Sequence, residues 1–358
     1  MTRFETLRKP MLPDSRGIEL GPWRNPIAPK RDGFQTLVVD ILDTEGLREK
    51  ARRSNIPEAQ VAGIEEVDIV GDASHLLQIV RGKGVVDQFD WIVSSHNFEH
   101  LPDPIRFLRD CESLLKPGGF VGMIIPDKRH CFDRFRPTTN IADLVRAHHD
   151  SASPTAAAFA MFALQALNTT LVLRDGTDRR FWPSDINHPE HLRTQDIRAR
   201  YETLQKWLAS DPVPEFVGHR WQFSPAAFEL AMLDLRAIGL TDLDLEEILP
   251  ADDGQEFAVR LRSSTAIDMC SEGYAHRRSE LCRRIEDEAA AVTGHCLRLE
   301  KELAATRAEL AKALKNMDVI KSSPPPFDHL STALQSVVQP EKPENQPQQD
   351  RILKFTEK

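Results

Sequence analysis

The stretch SSHNFEHLPDP, residues 94–104, places His96, Glu99 and His100 in the spacing H-x-x-E-H. Imidazoles and a carboxylate this close can move protons or ligate a metal. The same spacing is the signature of a zinc peptidase family. That chemistry requires both histidines on one face of a helix. Here the string follows FDWIVSS (89–95), an apolar run of strand character, and precedes LPDP, which reads as a loop into a proline-started helix. The expectation is therefore a loop after a strand, with no metal. A Glu99–His100 hydrogen bond that fixes the loop and a substrate contact or base at His100 both remain open. Near-stoichiometric zinc in purified protein would revive a zinc hydrolase.

Such a loop must be positioned by a regular scaffold, and the chain supplies one. GIELG (17–21), TLVVDI (36–41), VDIV (67–70), FDWIVSS and FVGMIIP (120–126) are short apolar strands. Between them lie helix-forming segments, TEGLREKARR (44–53) and PDPIRFLRDCESLLKPGG (102–119), the second with Ile105, Leu108, Cys111 and Leu115 at helical spacing. Apolar strands alternating with helices imply a parallel sheet covered on both faces. Residues 127–218 break the rhythm with a histidine-bearing helix (IADLVRAHHD) and an Ala-rich helix around 154–173, and read as an insertion at the strand ends. Regularity returns with SPAAFELAMLDLRAIGL (224–240), where Ser224 suits an N-cap and Pro225 the first helical position. TDLDLEEI and QEFAVRLRS then form a closing hairpin.

From 276 to 320 a seven-residue apolar repeat runs through Cys282, Ala289, Cys296, Leu303, Leu310 and Met317. It predicts a long helix or coiled coil, pairing as a homodimer or with a partner helix. A single helix packed on the body is the alternative. The Pro-, Gln- and Glu-rich residues 322–358 read as a disordered tail. The expected division is thus 1–262, with 127–218 inserted, then 263–321, then the tail. The net charge of −9 argues against general nucleic-acid binding. The five scattered cysteines form no C-x-x-C pair, so reduced thiols in a cytoplasmic protein are expected. No apolar run reaches the length of a signal peptide core or a bilayer span.

Three segments, SSHNFEHLPDP, LLKPGGF and IPDKRHCFDRFRPTT, together with IELGPWRNPIAPK, resemble class I S-adenosylmethionine-dependent methyltransferases over residues 15–262. The type-11-like group often encoded among cell-surface polysaccharide genes is the nearest resemblance. It implies a Rossmann-like seven-stranded α/β sheet with S-adenosyl-L-methionine across the carboxyl ends of the strands. Glu19 would orient the methionine end, Gly21 would let backbone approach the cofactor, and Asp40 would accept from both ribose hydroxyls. Asp72 would approach the adenine amino group with Ala73 near the ring, and Ser95 and His96 would line the cleft. The sequence departs from the E/D-x-G-x-G-x-G pattern: after Glu19 and Gly21 come Pro22 and Trp23. The resembling group shares this GP followed by a downstream P…PK.

The resemblance implies methyl transfer to a polar small molecule or a glycan. The work left to the protein is then to align the acceptor, with one base for a hydroxyl. His100, Asp127, His130 and His219 are the candidates. PDKRHCFDRFRP either binds an anionic acceptor through its arginines or forms a structural ion network. Trp221 either stacks on a sugar or covers the core, and His148-His149 reads as solvated surface. The rival function is a non-catalytic module of the same fold that assembles a glycan-synthesis complex through its C-terminal helix.

Overall fold

The computed structural model describes residues 3–85, 88–150, 153–173, 175–183, 192–210, 218–252, 254–263 and 271–321. The expected disordered tail lies outside them. In chain order the elements begin with α1 (Arg3–Arg8), β1 (Arg16–Leu20), β2 (Gln35–Asp40), α2 (Thr44–Arg53), α3 (Glu58–Ala62), β3 (Ile69–Val70) and α4 (Leu76–Gly82). There follow β4 (Phe89–Ser95), α5 (Pro104–Leu114), β5 (Leu115–Pro126), α6 (Ile141–Asp150) and α7 (Pro154–Leu167). The rest are β6 (Thr170–Val172), β7 (Asp178–Arg179), β8 (Leu192–Arg193), α8 (Ile197–Leu208), α9 (Pro225–Ala237), β9 (Leu243–Pro250), β10 (Glu256–Ser263) and α10 (Ser271–Lys321).

Seven strands form one sheet in the order β3-β2-β1-β4-β5-β10-β9, as the Rossmann-like reading requires. β1 to β5 run parallel, and β10 lies antiparallel to both β5 and β9. The order reverses between β1 and β4, and that switch point is where open α/β sheets bind ligands. One face of the sheet buries Ile18, Leu20, Ile92, Val121 and Met123 against Leu76, Ile105, Leu108, Phe228 and Met232 from α4, α5 and α9. The other face is covered sparingly: Trp91, Val93, Phe120 and Ile124 pack under Leu7 of α1 and under Ile27 and Ala28 of the β1–β2 crossover.

That crossover, residues 21–34, contains no α-helix; its one regular piece is a 3-10 turn at Lys30–Asp32. Pro22, Pro26 and Pro29 account for this, since each lacks the N–H that a helix interior needs. The space is filled instead by Trp23, which turns into a small core with Leu47, Ala51, Val61 and Ile64 of α2, α3 and the segment after them. Nearby, Gly17 is required by packing: a Cβ there would stand 1.9 Å from the Trp91 ring of its partner strand.

Three expectations change in detail. α5 ends at Leu114, and β5 begins at Leu115 rather than after Gly119, because Leu115 pairs with Phe89 before a register shift. The insertion carries a three-stranded antiparallel sheet, β7-β6-β8, besides its helices; strands this short leave no period to read. Ser224 is the N-cap residue of α9 without a side-chain capping bond. The Ala226 amide instead donates to Glu288 of α10, at 3.1 and 3.3 Å.

α10 therefore begins as part of the body. Leu281 is fully buried and Ile285 packs on the main core. Arg277 and Arg284 pair with Glu229 of α9, and Arg278 and Tyr274 pair with its Asp234. The first compact unit runs to Val292. Within the second unit, Leu303 and Leu310 are exposed. No described helix is long and apolar enough to cross a membrane.

Candidate functional site

Pairing of Leu20 with Val39 and with Ser94 sets the ends of β1, β2 and β4 side by side. Gly21, Asp40 and Ser95, one residue further on, thus form a row along the carboxyl edge at the switch point. Gly21 has φ +58°, a conformation glycine adopts without strain, and its amide donates to Val39 O at 2.8 Å. Asp40 is buried at the end of β2, yet its neighbours Ile41 and Val70 are large apolar residues about half exposed, at 58% and 48%. A buried carboxylate flanked by open apolar surface suits an adenosine, whose ribose offers hydroxyls and whose base offers a flat apolar face.

Glu19 does something else. It is buried, and its carboxylate accepts from the backbone amides of Ile27 and, at 2.9 Å, Ala28. It staples the helix-free crossover to the end of β1. Burial pushes its pKa up to about 7, while the two amides and Arg8 pull the other way. Asp72 is likewise engaged: it caps the turn at Ala73–His75 through the Ser74 amide, at 2.8 Å.

The H-x-x-E-H string does follow a strand, β4, and enters a 3-10 turn at Phe98–His100. His96 has φ +52°, uncommon outside glycine, and its Nε2 reaches Glu256 at 2.9 Å. The Glu99 carbonyl accepts from the amides of Arg220 (2.7 Å) and Trp221 (3.2 Å), which draws the segment after the insertion onto the turn. His219 arrives with it. Glu99 is fully buried, and its Oε1 stands 3.4 Å from His96 Nδ1, 3.7 Å from His219 Nε2 and 3.8 Å from His100 Nε2. These separations are long for hydrogen bonds. His219 Nδ1 bonds Asp133 at 2.6 Å, Asp133 pairs with Arg136 at 2.7 Å, and Arg136 also donates to the His219 carbonyl. Phe132 packs against the His219 ring at 4.5 Å between centroids.

The electrostatics follow from these neighbours. Burial raises the Glu99 pKa, but the contact with His96 and the charges of His100 and His219 bring it down to about 2. Burial lowers His96, and its contacts with Glu256 and Glu99 outweigh that, leaving it near 9. His96 is accordingly an imidazolium held between two carboxylates. Burial drives His130 down to about 4.

The fold thus gathers His96, His100 and His219 into one cluster and gives Asp127 and His130 other surroundings. Asp127 is buried in an ion pair with Arg129, bonding its Nε at 2.9 and 3.1 Å. Trp221 covers the core, donating to Leu101 O at 2.7 Å. His148 is not simply solvated; it bonds Asp103, the N-cap of α5, at 2.9 Å. Sequence reasoning missed Asp133, Arg136, Glu256, Ile41 and Val70. Asp133 and Arg136 sit in the quoted PDKRHCFDRFRP at a spacing of i, i+3, a signal that fits the ion-network reading of that segment.

Residues 13–234 match the family described as "Methyltransferase domain". No curated protein matches the chain. Among solved structures it is similar to the mitomycin 7-O-methyltransferase MmcR at 13% identity and TM-score 0.31, over 73% of this chain and 53% of that one. It is similar to the glycopeptide N-methyltransferase MtfA, solved with (S)-adenosyl-L-homocysteine, at 13% identity and TM-score 0.35, over 73% of this chain and 86% of that one. The CcbJ methyltransferase from Streptomyces caelestis gives 15% identity and TM-score 0.36, over 74% and 89%. The strand order, rather than these superpositions, defines the fold here.

Proposed function

The chain belongs to the methyltransferase-domain family, and from that membership we propose an S-adenosylmethionine-dependent methyltransferase acting on a polar acceptor with a hydroxyl to be methylated. The bound cofactor supplies a methyl group made electrophilic by the sulfonium. Gly21 would admit it without a Cβ, Asp40 would take the ribose hydroxyls, Ile41 and Val70 would give the adenine an apolar surface, and Ser95 would line the cleft beside them.

One observation carries the reading: the Glu99–His100–His219 cluster follows the end of β4, the strand next to β1, on the same edge as the adenosine row. A group able to draw a proton from an acceptor thus lies beside the place for the methyl donor. Asp133 holds Nδ1 of His219 and so turns its Nε2 toward Glu99. His96, already held as a cation by Glu256 and Glu99, positions the carboxylate rather than taking the proton. For the acceptor we favour a glycan or glycan precursor. Phe135, Phe159 and Tyr201 are about half exposed, surfaces on which a sugar ring can stack.

Calorimetric titration with S-adenosylmethionine is the first test. Asp40→Ala is expected to weaken binding by about 1–3 kcal/mol, the cost of losing a charged acceptor. Unchanged affinity in a folded variant removes Asp40 from the site. No binding by the wild type would favour the non-catalytic assembly module. Labelled-methyl transfer to a panel of nucleotide sugars and glycans tests the acceptor class, and transfer confined to other acceptors would overturn it.

A further inference from the structure

We propose that Glu99, His100 and His219 bind a divalent cation of the zinc class, an inference that rests on reading this cluster as the acceptor-activating site. The sequence argument against metal turned on the missing helix. A helix is one way to bring two histidines together; here a 3-10 turn supplies Glu99 and His100, and the return from the insertion supplies the third ligand. One ligand atom from each of the three lies within 4.8 Å of the others. Tetrahedral zinc holds ligand atoms about 3.4 Å apart. The 3.7 and 3.8 Å separations from Glu99 Oε1 therefore close on an ion with a small inward movement.

Three further features point the same way. Among the described residues neither Glu99 oxygen receives a hydrogen bond of ordinary geometry, although the residue is fully buried. A buried carboxylate short of hydrogen bonds is well placed to ligate a cation. His219 donates Nδ1–H to Asp133 at 2.6 Å, and Arg136 holds Asp133 in turn. That leaves Nε2 directed at the Glu99 carboxylate, 3.7 Å away, where an ion between the two would find both as ligands. A carboxylate behind a histidine is also the usual outer support of a ligating imidazole. Finally, the His100 side chain is 27% exposed while Glu99 is fully buried and His219 nearly so, which gives an ion an entry path and an open coordination position on that side. Two imidazoles and one carboxylate suit zinc, cobalt or manganese better than magnesium, which prefers all-oxygen octahedra. His96 is not among the three residues whose ligand atoms come together; it bridges Glu99 and Glu256 instead. An ion there would lower the pKa of a hydroxyl presented to its open position.

The test is metal content, read independently of activity. Full-length protein purified without chelator is assayed by elemental mass spectrometry, then stripped and titrated with Zn²⁺ and with Co²⁺, whose visible bands report its coordination. Near-stoichiometric zinc and intense tetrahedral cobalt bands are expected, both lost in His219→Ala and His100→Ala and retained in His149→Ala. Asp133→Asn, which keeps shape, should weaken zinc affinity by about 10–100-fold while the fold persists by circular dichroism. Absence of binding in the wild type, or binding indifferent to His100 and His219, overturns the proposal. S-adenosylmethionine titration of the stripped protein separates the two readings. Cofactor binding without metal binding sinks the ion and leaves the methyltransferase; metal without cofactor does the reverse.

Discussion

Glu19 and Glu99 are both buried glutamates at the carboxyl edge of one sheet, and they are driven in opposite directions. Glu19 is buried against two backbone amides and is pushed up to about 7 by that burial. Glu99 faces three imidazoles and is held down at about 2. Burial raises both; the partners decide the outcome. Amides carry only partial charges, whereas an imidazolium carries a whole one. The residue that the family pattern marks for the cofactor holds the Ile27 and Ala28 amides. Glu99, expected to fix the loop through His100, lies among three imidazoles.

The largest effect should come from undoing the staple. Glu19→Ala leaves the buried Ile27 and Ala28 amides without their acceptor, which should cost about 2–6 kcal/mol at roughly 1–3 per amide. Denaturant unfolding reads this as a lower midpoint at unchanged slope. A loss under about 1 kcal/mol would mean the crossover is held by something else. Next comes Glu99→Gln, which keeps volume and removes charge. It should lower kcat/KM for methyl transfer on the order of 100-fold and spare S-adenosylmethionine affinity. Full activity in that variant would detach the cluster from acceptor chemistry.

The smallest effect is in the titrations. Glu19, raised above its ordinary 4.5, contributes most to stability below pH 4.5, and that contribution is lost as pH rises through about 7. Glu99, depressed, contributes above pH 4.5 and loses its contribution as pH falls toward 2. Carbon-13 NMR of labelled glutamate carboxyls should show one midpoint near neutrality and one far into acid. Two midpoints near 4.5 would erase the contrast on which this comparison stands.

The sheet was legible because its strands are continuous apolar runs: FDWIVSS is β4 residue for residue, and TEGLREKARR is α2. Asp40 and Gly21 could be placed by counting from those strands. The cluster was only half legible. His96, Glu99 and His100 are neighbours in sequence, but His219 joins them through a bond between the Glu99 carbonyl and the Arg220 amide. No local periodicity encodes such a contact. Asp133 was hidden in the same way, since its partner lies beyond the whole insertion. The start of α10 was legible only as one of two alternatives. Its apolar repeat suggested a separate partner, while Arg277, Arg278 and Arg284, which match the acids of α9, fall outside that pattern.

The Glu288–Ala226 contact has a consequence for the order in which the protein is made. The last strand of the sheet ends at Ser263, but the group that accepts from the first turn of α9 lies at Glu288. A nascent chain that has released β10 still holds an α9 whose Ala226 amide is left to water and whose Glu229 and Asp234 await their arginines. The domain is therefore finished later than its sheet. During that interval the growing chain shows an acidic helix face that the mature protein conceals.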